Sequence, residues 1–154
     1  MKFEPSVRLG FVTVVLIAAT GCGRTLSSLY EDYRIEDAPL SSIEVYEAIK
    51  ESVVEAGWTL GESPAPNVIS TEEATVSQWG LYKVVVSIDV APISGKHVRV
   101  FFHPYRVYLW GARSKMPYLS RRVRNFVLPD LTTALAKHDI VALDVDLAEQ
   151  GAGD

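Results

Sequence analysis

The first periodic segment of the chain predicts an amphipathic helix. Ser41 and Glu44 form a capping box, in which each side chain satisfies a backbone N–H that the helix leaves free. Gly57 suits the left-handed residue that ends a helix, and glutamates occupy the polar side. Apolar residues recur at the three- and four-residue spacing of one helical face: Val45, Tyr46, Ile49, Val53 and Ala56.

A period of two, typical of strands, follows. Residues 58–60 predict a short strand and residues 68–79 a polar edge strand. Residues 82–90 and 97–102 alternate strictly, and "PISGK" turns the chain between them. We expect an interruption with a one-residue bulge at His103–Pro104, because a strand that continued from residue 97 to residue 110 would be about 46 Å long.

A second helix is predicted from about Pro117, with Pro129 expected to kink it or divide it in two. The order of helix, four strands and helix predicts an α+β fold: an antiparallel sheet of about four strands with an N-terminal and a C-terminal helix packed on one face. The predicted core places the sheet residues Val84, Val86, Ile88, Val98, Val100 and Phe102 against the helix residues Val45, Ile49, Val53, Leu119, Val123 and Phe126.

The N-terminus has the composition of an export signal. Lys2 and Arg8 supply positive charge before an apolar segment that runs from Leu9 to Ala19. As a helix this segment would span about 18 Å, which is too short to cross a hydrocarbon core of about 30 Å comfortably. Small residues and the single cysteine of the chain follow: Ala19-Thr20-Gly21-Cys22.

This junction resembles the lipobox of bacterial lipoprotein precursors, although that family prefers Leu where this chain has Ala19. The resemblance implies that the Cys22 thiol takes a diacylglycerol, that cleavage makes Cys22 the first residue, and that the new amino terminus is acylated, as with palmitate. Gly23 rather than Asp follows, which in Gram-negative members implies sorting to the outer membrane, facing the periplasm. The alternative is an ordinary signal peptide with an incidental cysteine.

The predicted organisation is a signal peptide at 1–21, a lipid-anchored tether at 22–40 with one helical turn near Leu29, an α+β domain at 41–138, and a tail at 139–154. The tail alternates in a way that allows a short strand before a disordered end. Residues 56–71, "AGWTLGESPAPNVIST", resemble the helix-strand-strand opening of small envelope lipoprotein domains such as the C component of the outer-membrane β-barrel assembly machinery. That resemblance favours an envelope scaffold.

Charge is unevenly distributed along the chain. Residues 22–75 contain 11 acidic and 3 basic side chains, whereas residues 76–154 contain 7 and 10. Helical spacing favours Arg121 and Arg124 as a contact patch, joined by Arg113 or Lys115 from the preceding loop. Arg122 projects elsewhere and is expected to pair with the acidic first helix. The basic cluster is either a solvated face or a contact for an acidic envelope protein, a glycan phosphate or a lipid headgroup. Its members are Arg113, Lys115, Arg121, Arg122 and Arg124.

The sequence contains no motif that predicts catalysis, a metal or a cofactor. "SGK" at 94–96 lacks the preceding glycine of a P-loop, because Val90 stands there, and a hairpin turn explains it. His97 and His103 lie about 20 Å apart along one strand, too far to share a metal. Nucleic acid is not expected as a partner of an exported, net-acidic chain.

These observations favour a non-enzymatic accessory or interaction module of the bacterial envelope. The alternative is a small-molecule or lipid-binding domain that uses a cleft between the sheet and the helices. An enzyme with a dispersed site is a third, weaker class. Aromatic residues near strand ends would line such a cleft: Trp79, Tyr82, Tyr105, Tyr108 and Trp110.

Overall fold

The computed structural model describes residues 28–36 and 41–143. The predictions for the signal peptide, for Cys22, for residues 37–40 and for the tail beyond residue 143 lie outside these ranges. The helices are α1 (Ser42–Glu55) and α2 (Arg121–Ala136). The strands are β1 (Tyr30–Ile35), β2 (Ile69–Ser70), β3 (Ala74–Trp79), β4 (Tyr82–Ser94), β5 (His97–Tyr108), β6 (Arg113–Lys115) and β7 (Ile140–Ala142).

A long hairpin of β4 and β5 forms the middle of one antiparallel sheet. β2 and β3 pair with β4, β1 and β6 pair with β5, and β7 pairs with the outer edge of β1. The hairpin turns at Gly95 and Lys96, in the predicted place. The turns between β3 and β4 and between β5 and β6 lie at the opposite end of the hairpin, which we call the tip end.

The prediction of about four strands between an N-terminal and a C-terminal helix is wrong. Within the described residues the sheet has seven strands, and strands rather than helices come first and last. Residues 30–35, assigned to the tether with a helical turn, form β1 instead. Tyr33 and Ile35 are buried in the core, and five successive residues of β1 pair with β5. The short, charged sequence of β1 gives no sign that its backbone pairs with a distant strand.

The expected bulge at His103–Pro104 is also absent from the β4–β5 register, which runs without a shift from Tyr82 to Pro92. The carbonyl of Pro104 accepts a hydrogen bond from the N–H of Met116, on the side of β5 away from β4. Because the nitrogen and oxygen of one strand residue point to the same side, the missing N–H of proline removes no hydrogen bond to β4. The strand therefore continues through the proline.

Both helices begin at side-chain caps and lie on one face of the sheet. The predicted capping box of α1 is confirmed: the Glu44 carboxylate accepts from the Ser41 N–H at 2.7 Å, a bond that lowers the pKa of Glu44. α2 begins at Arg121, after the N-cap Ser120, and continues through Pro129 without dividing. Neither helix of the described ranges is long and apolar enough to span a membrane.

The predicted core is confirmed except at Phe126, which is 44% exposed. The buried face of α2 follows Val123, Val127 and Leu131, so Phe126 lies at its margin and meets Trp58 edge-on. The remaining predicted core residues are buried between the sheet and the helices: Val45, Ile49, Val53, Val84, Val86, Ile88, Val98, Val100, Phe102, Leu119 and Val123.

Candidate interaction surface

The five residues of the predicted basic cluster lie on two elements. Arg113 and Lys115 belong to β6, and the other three, Arg121, Arg122 and Arg124, open α2. All five are exposed. The structure gives three of them different partners, so the cluster does not act as one uniform face.

Arg124 is engaged within the domain. Its Nη2 lies 3.1 Å from Oε1 of Glu31, which β1 directs toward the helices. Burial raises the pKa of Glu31, and the opposing effect of the Arg124 charge is smaller. This ion pair links the first turn of α2 to β1. It neutralises Arg124, which we predicted as a member of the contact patch.

Three arginines near the tip end lie over aromatic rings, and a fourth, Arg99, lies over Tyr30 away from the tip. Arg122 does not pair with α1 as predicted, because its guanidinium lies 5.5 Å from the centroid of Trp79 on β3. The α1 glutamates have other partners in Lys50, Lys137 and His138, as well as in the α1 cap. The other two stacks are Arg106 over Tyr82 at 5.9 Å and Arg113 over Tyr105 at 4.7 Å, the latter with an ion pair to Glu73.

Exposed apolar side chains are concentrated at the tip end, and we call this group the aromatic tip. The N–H of Leu109 donates to the carbonyl of Leu81 at 3.2 Å, which holds the two turns together. Gly111 permits the second turn, with a φ of 85°. The tip comprises the half-buried Tyr82 and Tyr108 with Trp79, Leu81, Leu109 and Trp110, which are 54%, 67%, 73% and 69% exposed.

Ring contacts order this tip. Tyr82 and Tyr108 are cross-strand partners whose centroids lie 5.8 Å apart, and Trp110 stacks on Tyr108 at 4.9 Å. A cleft of about 380 Å³ lies beside the tip, between the sheet and the first turn of α2. Aromatic and basic side chains line it, among them Trp79, Tyr82, Arg106, Tyr118 and Arg122.

The sheet face away from the helices carries a polar network. The Ser70 hydroxyl donates to Oδ1 of Asp89 at 2.6 Å, and Nε2 of His103 lies 2.8 Å from Oδ2 of the same carboxylate. Asp89 therefore stands between the serine and the histidine. In a hydrolase triad the histidine stands between the other two groups, so that it takes the serine proton. The arrangement here ties β2, β4 and β5 together and does not activate Ser70.

Sequence reasoning identified four aromatic residues of this surface: Trp79, Tyr82, Tyr108 and Trp110. It wrongly included Tyr105, which lies on the opposite face of the sheet. It missed Tyr118, Leu81, Leu109 and Arg106. A usable signal was present in "WGLY" and "YLWGA". An apolar residue beside a glycine in a tight turn has no core to enter, so it remains exposed. Arg106 gave no such signal, because only the β4–β5 register places it beside Tyr82.

Residues 28–36 and 41–143 contain no group of three or more His, Cys, Asp or Glu side chains that could hold a metal ion. Comparison of the sequence with known proteins finds no matching family model and no significantly similar curated protein. The surface is therefore interpreted from its own chemistry.

Proposed function

We propose that this chain is a lipid-anchored lipoprotein of the bacterial envelope whose domain acts as a non-enzymatic interaction module. The observation that carries the proposal is the pair of arginine–aromatic stacks that line the cleft near the tip end, Arg106 over Tyr82 and Arg122 over Trp79. A guanidinium already held over a ring loses less freedom when it binds an anion than a free side chain does. The anchor is supplied by Cys22, behind a short apolar segment.

The charge distribution supports an anionic partner. Residues 76–126 contain nine basic side chains and one acidic side chain, Asp89. Asp89 lies on the face of the sheet opposite Arg106 and Arg122, so it does not neutralise these two arginines. Arg113 and Arg124 are balanced by Glu73 and Glu31. Carboxylates of an acidic envelope protein, glycan phosphates and lipid headgroups share the chemistry that this surface attracts.

A small-molecule or lipid ligand in the cleft beside the aromatic tip is the second candidate. The cleft has a size typical of ligand pockets, and it offers two arginines beside three aromatic rings. It lies between the sheet and the first turn of α2, at the margin of the core, with Val84 and Val123 in its wall. An enzyme has less support, because the Ser70–Asp89–His103 order does not suit proton transfer from the serine.

The experiment is photo-cross-linking in cells from a reactive residue in place of Ser114, the exposed β6 partner of Arg106. It compares the parent with Arg121→Glu/Arg122→Glu, which should remain folded because acidic residues suit the first turn of a helix. We expect this reversal to abolish the cross-links. The control Lys50→Glu/Lys96→Glu changes the net charge equally, away from the tip, and should retain them. Equal cross-links from both variants would refute recognition by the basic surface.

A further inference from the structure

We propose that the aromatic tip inserts into the surface of the membrane that holds Cys22, so that the domain stands with its tip end on the bilayer. The inference rests on the lipid anchor of the proposed function and names the partner of the same surface. It follows from the direction of β1, the length of chain before it, the exposed side chains at the tip and the charge around them.

The direction of β1 places the incoming chain toward the tip end. β1 is antiparallel to β5, with Tyr30 opposite Phe101 and Arg34 opposite His97. Its first residue therefore lies on the side of β5 that leads to Tyr108 and the tip. The carbonyl of Leu29 already accepts a hydrogen bond from the N–H of Phe102 at 2.8 Å.

The chain before β1 is short. Seven residue steps separate Cys22 from Leu29, which is at most about 25 Å however they are arranged. A flexible segment of this length averages about 15 Å end to end. The six residue steps from Phe102 to Tyr108 extend about 20 Å along β5. With the lipid of Cys22 in the bilayer and this end of β5 directed toward it, a connection of average length is shorter than that distance, which brings the tip to the headgroups.

The side chains at the tip suit a bilayer surface. Trp and Tyr are enriched at the membrane–water interface, where the ring contacts acyl chains and the polar group contacts water. Leu109, Trp110 and Leu81 are the most exposed members of the tip, and contact with the bilayer would remove their apolar surface from water. Trp110, stacked on Tyr108, extends the same apolar surface.

The surrounding charge selects this orientation. Arg106 and Arg122 line the cleft beside the tip, where they would meet the phosphates of anionic lipids. α1 carries four glutamates, which an anionic surface would repel. On the far face of the sheet, Arg99 donates two hydrogen bonds to Asp32, at 2.6 and 2.9 Å, and this pair is already neutral.

The test uses the full lipidated chain, purified from membranes and reconstituted in vesicles of phosphatidylethanolamine and phosphatidylglycerol. Phospholipids brominated on the acyl chain quench tryptophan fluorescence on contact. We expect quenching in the wild type and its loss in Trp79→Phe/Trp110→Phe, which retains only the buried Trp58. A reporter at the opposite end, Ile93→Trp in that double variant, should remain unquenched. Quenching of this reporter would overturn the orientation.

A second pair of variants tests the apolar contact itself. Leu81→Ser/Leu109→Ser should reduce the quenching of the tip tryptophans, whereas Ile43→Ser/Val54→Ser, on exposed positions of α1, should leave it unchanged. The mass of each sample separates the two claims. A chain without lipid on Cys22 contradicts the proposed function and this inference with it. A lipidated chain whose Trp79 and Trp110 are unquenched overturns this inference alone and favours an acidic protein or a glycan phosphate.

Discussion

Adjacent residues on β5 face opposite sides of the sheet. Phe102 is 1% exposed and lies under the helices, whereas Phe101 is half-buried on the other face. The sequence was enough to predict this division, because the apolar set on β4 alternates with Lys83, Ser87 and Asp89. It was not enough to place Arg122, because the partner of this arginine lies on β3 and only the folded chain brings the two together.

Replacement of each phenylalanine by alanine tests which of the two faces of β5 is buried in the core. Phe102→Ala should lower the free energy of unfolding by about 3–5 kcal/mol, through lost burial and the cavity left in the core. The neighbouring Phe101→Ala should cost clearly less, because that ring remains partly in water in the folded state. Urea denaturation of both variants measures the difference. An equal or larger cost at Phe101 would contradict the register.

Glu31 should make stability depend on pH. Burial raises its pKa above 4.5, so between 4.5 and the raised value the folded chain holds a proton that the unfolded chain releases. The free energy of unfolding therefore falls as pH rises through this interval. Glu31→Gln removes the effect, so the variant should gain stability relative to wild type from pH 4 to pH 7. The exposed Glu62→Gln serves as the control, and a relative loss by Glu31→Gln would refute the assignment.

The elements differ in how far nearby residues in the sequence determine them. α1 could be predicted with its first residue because Ser41 and Glu44 form a cap within four residues of sequence. β1 could not, since only Tyr33 and Ile35 of its six residues enter the core and its pairing partner lies more than sixty residues away. The length of β5 was misjudged for a related reason, because the effect of Pro104 depends on which neighbour its nitrogen faces.

The proline inside α2 provides a test at this scale. Pro129 gives α2 no N–H for its internal hydrogen bonds, yet the helix continues to Ala136. Pro129→Ala should therefore raise the free energy of unfolding by about 1–3 kcal/mol. The adjacent exposed Asp130→Ala changes helix propensity alone and should add only a few tenths of a kcal/mol. A loss of stability in Pro129→Ala would show that its ring makes a necessary contact.

Over the whole molecule, the sheet depends on both ends of the described chain. Tyr33, Ile35 and Ile140 are buried, and β7 covers the outer edge of β1. The sequence-predicted domain at 41–138 omits both strands, because their short charged or polar contexts resemble a tether and a tail. The uneven charge could be read from the sequence. The position of Arg106 beside the aromatic tip could not, because it depends on the register of β4 and β5.

The boundaries of the folding unit can be tested with two chains. The segment 28–143 should unfold cooperatively on heating, as followed by circular dichroism. The segment 41–138 should not, because it lacks three buried side chains and leaves one edge of β5 unpaired from residue 97 to residue 102. Cooperative unfolding of the shorter segment at a similar temperature would show that β1 and β7 contribute little.

The lipid anchor is the central claim, and intact-mass analysis of the protein extracted from membranes tests it most directly. The account predicts a chain that begins at Cys22 and carries a diacylglycerol and an amide-linked acyl group, and a Cys22→Ser variant without either modification. A wild-type chain that retains residues 1–21, or that begins at another residue and carries no lipid, would contradict it.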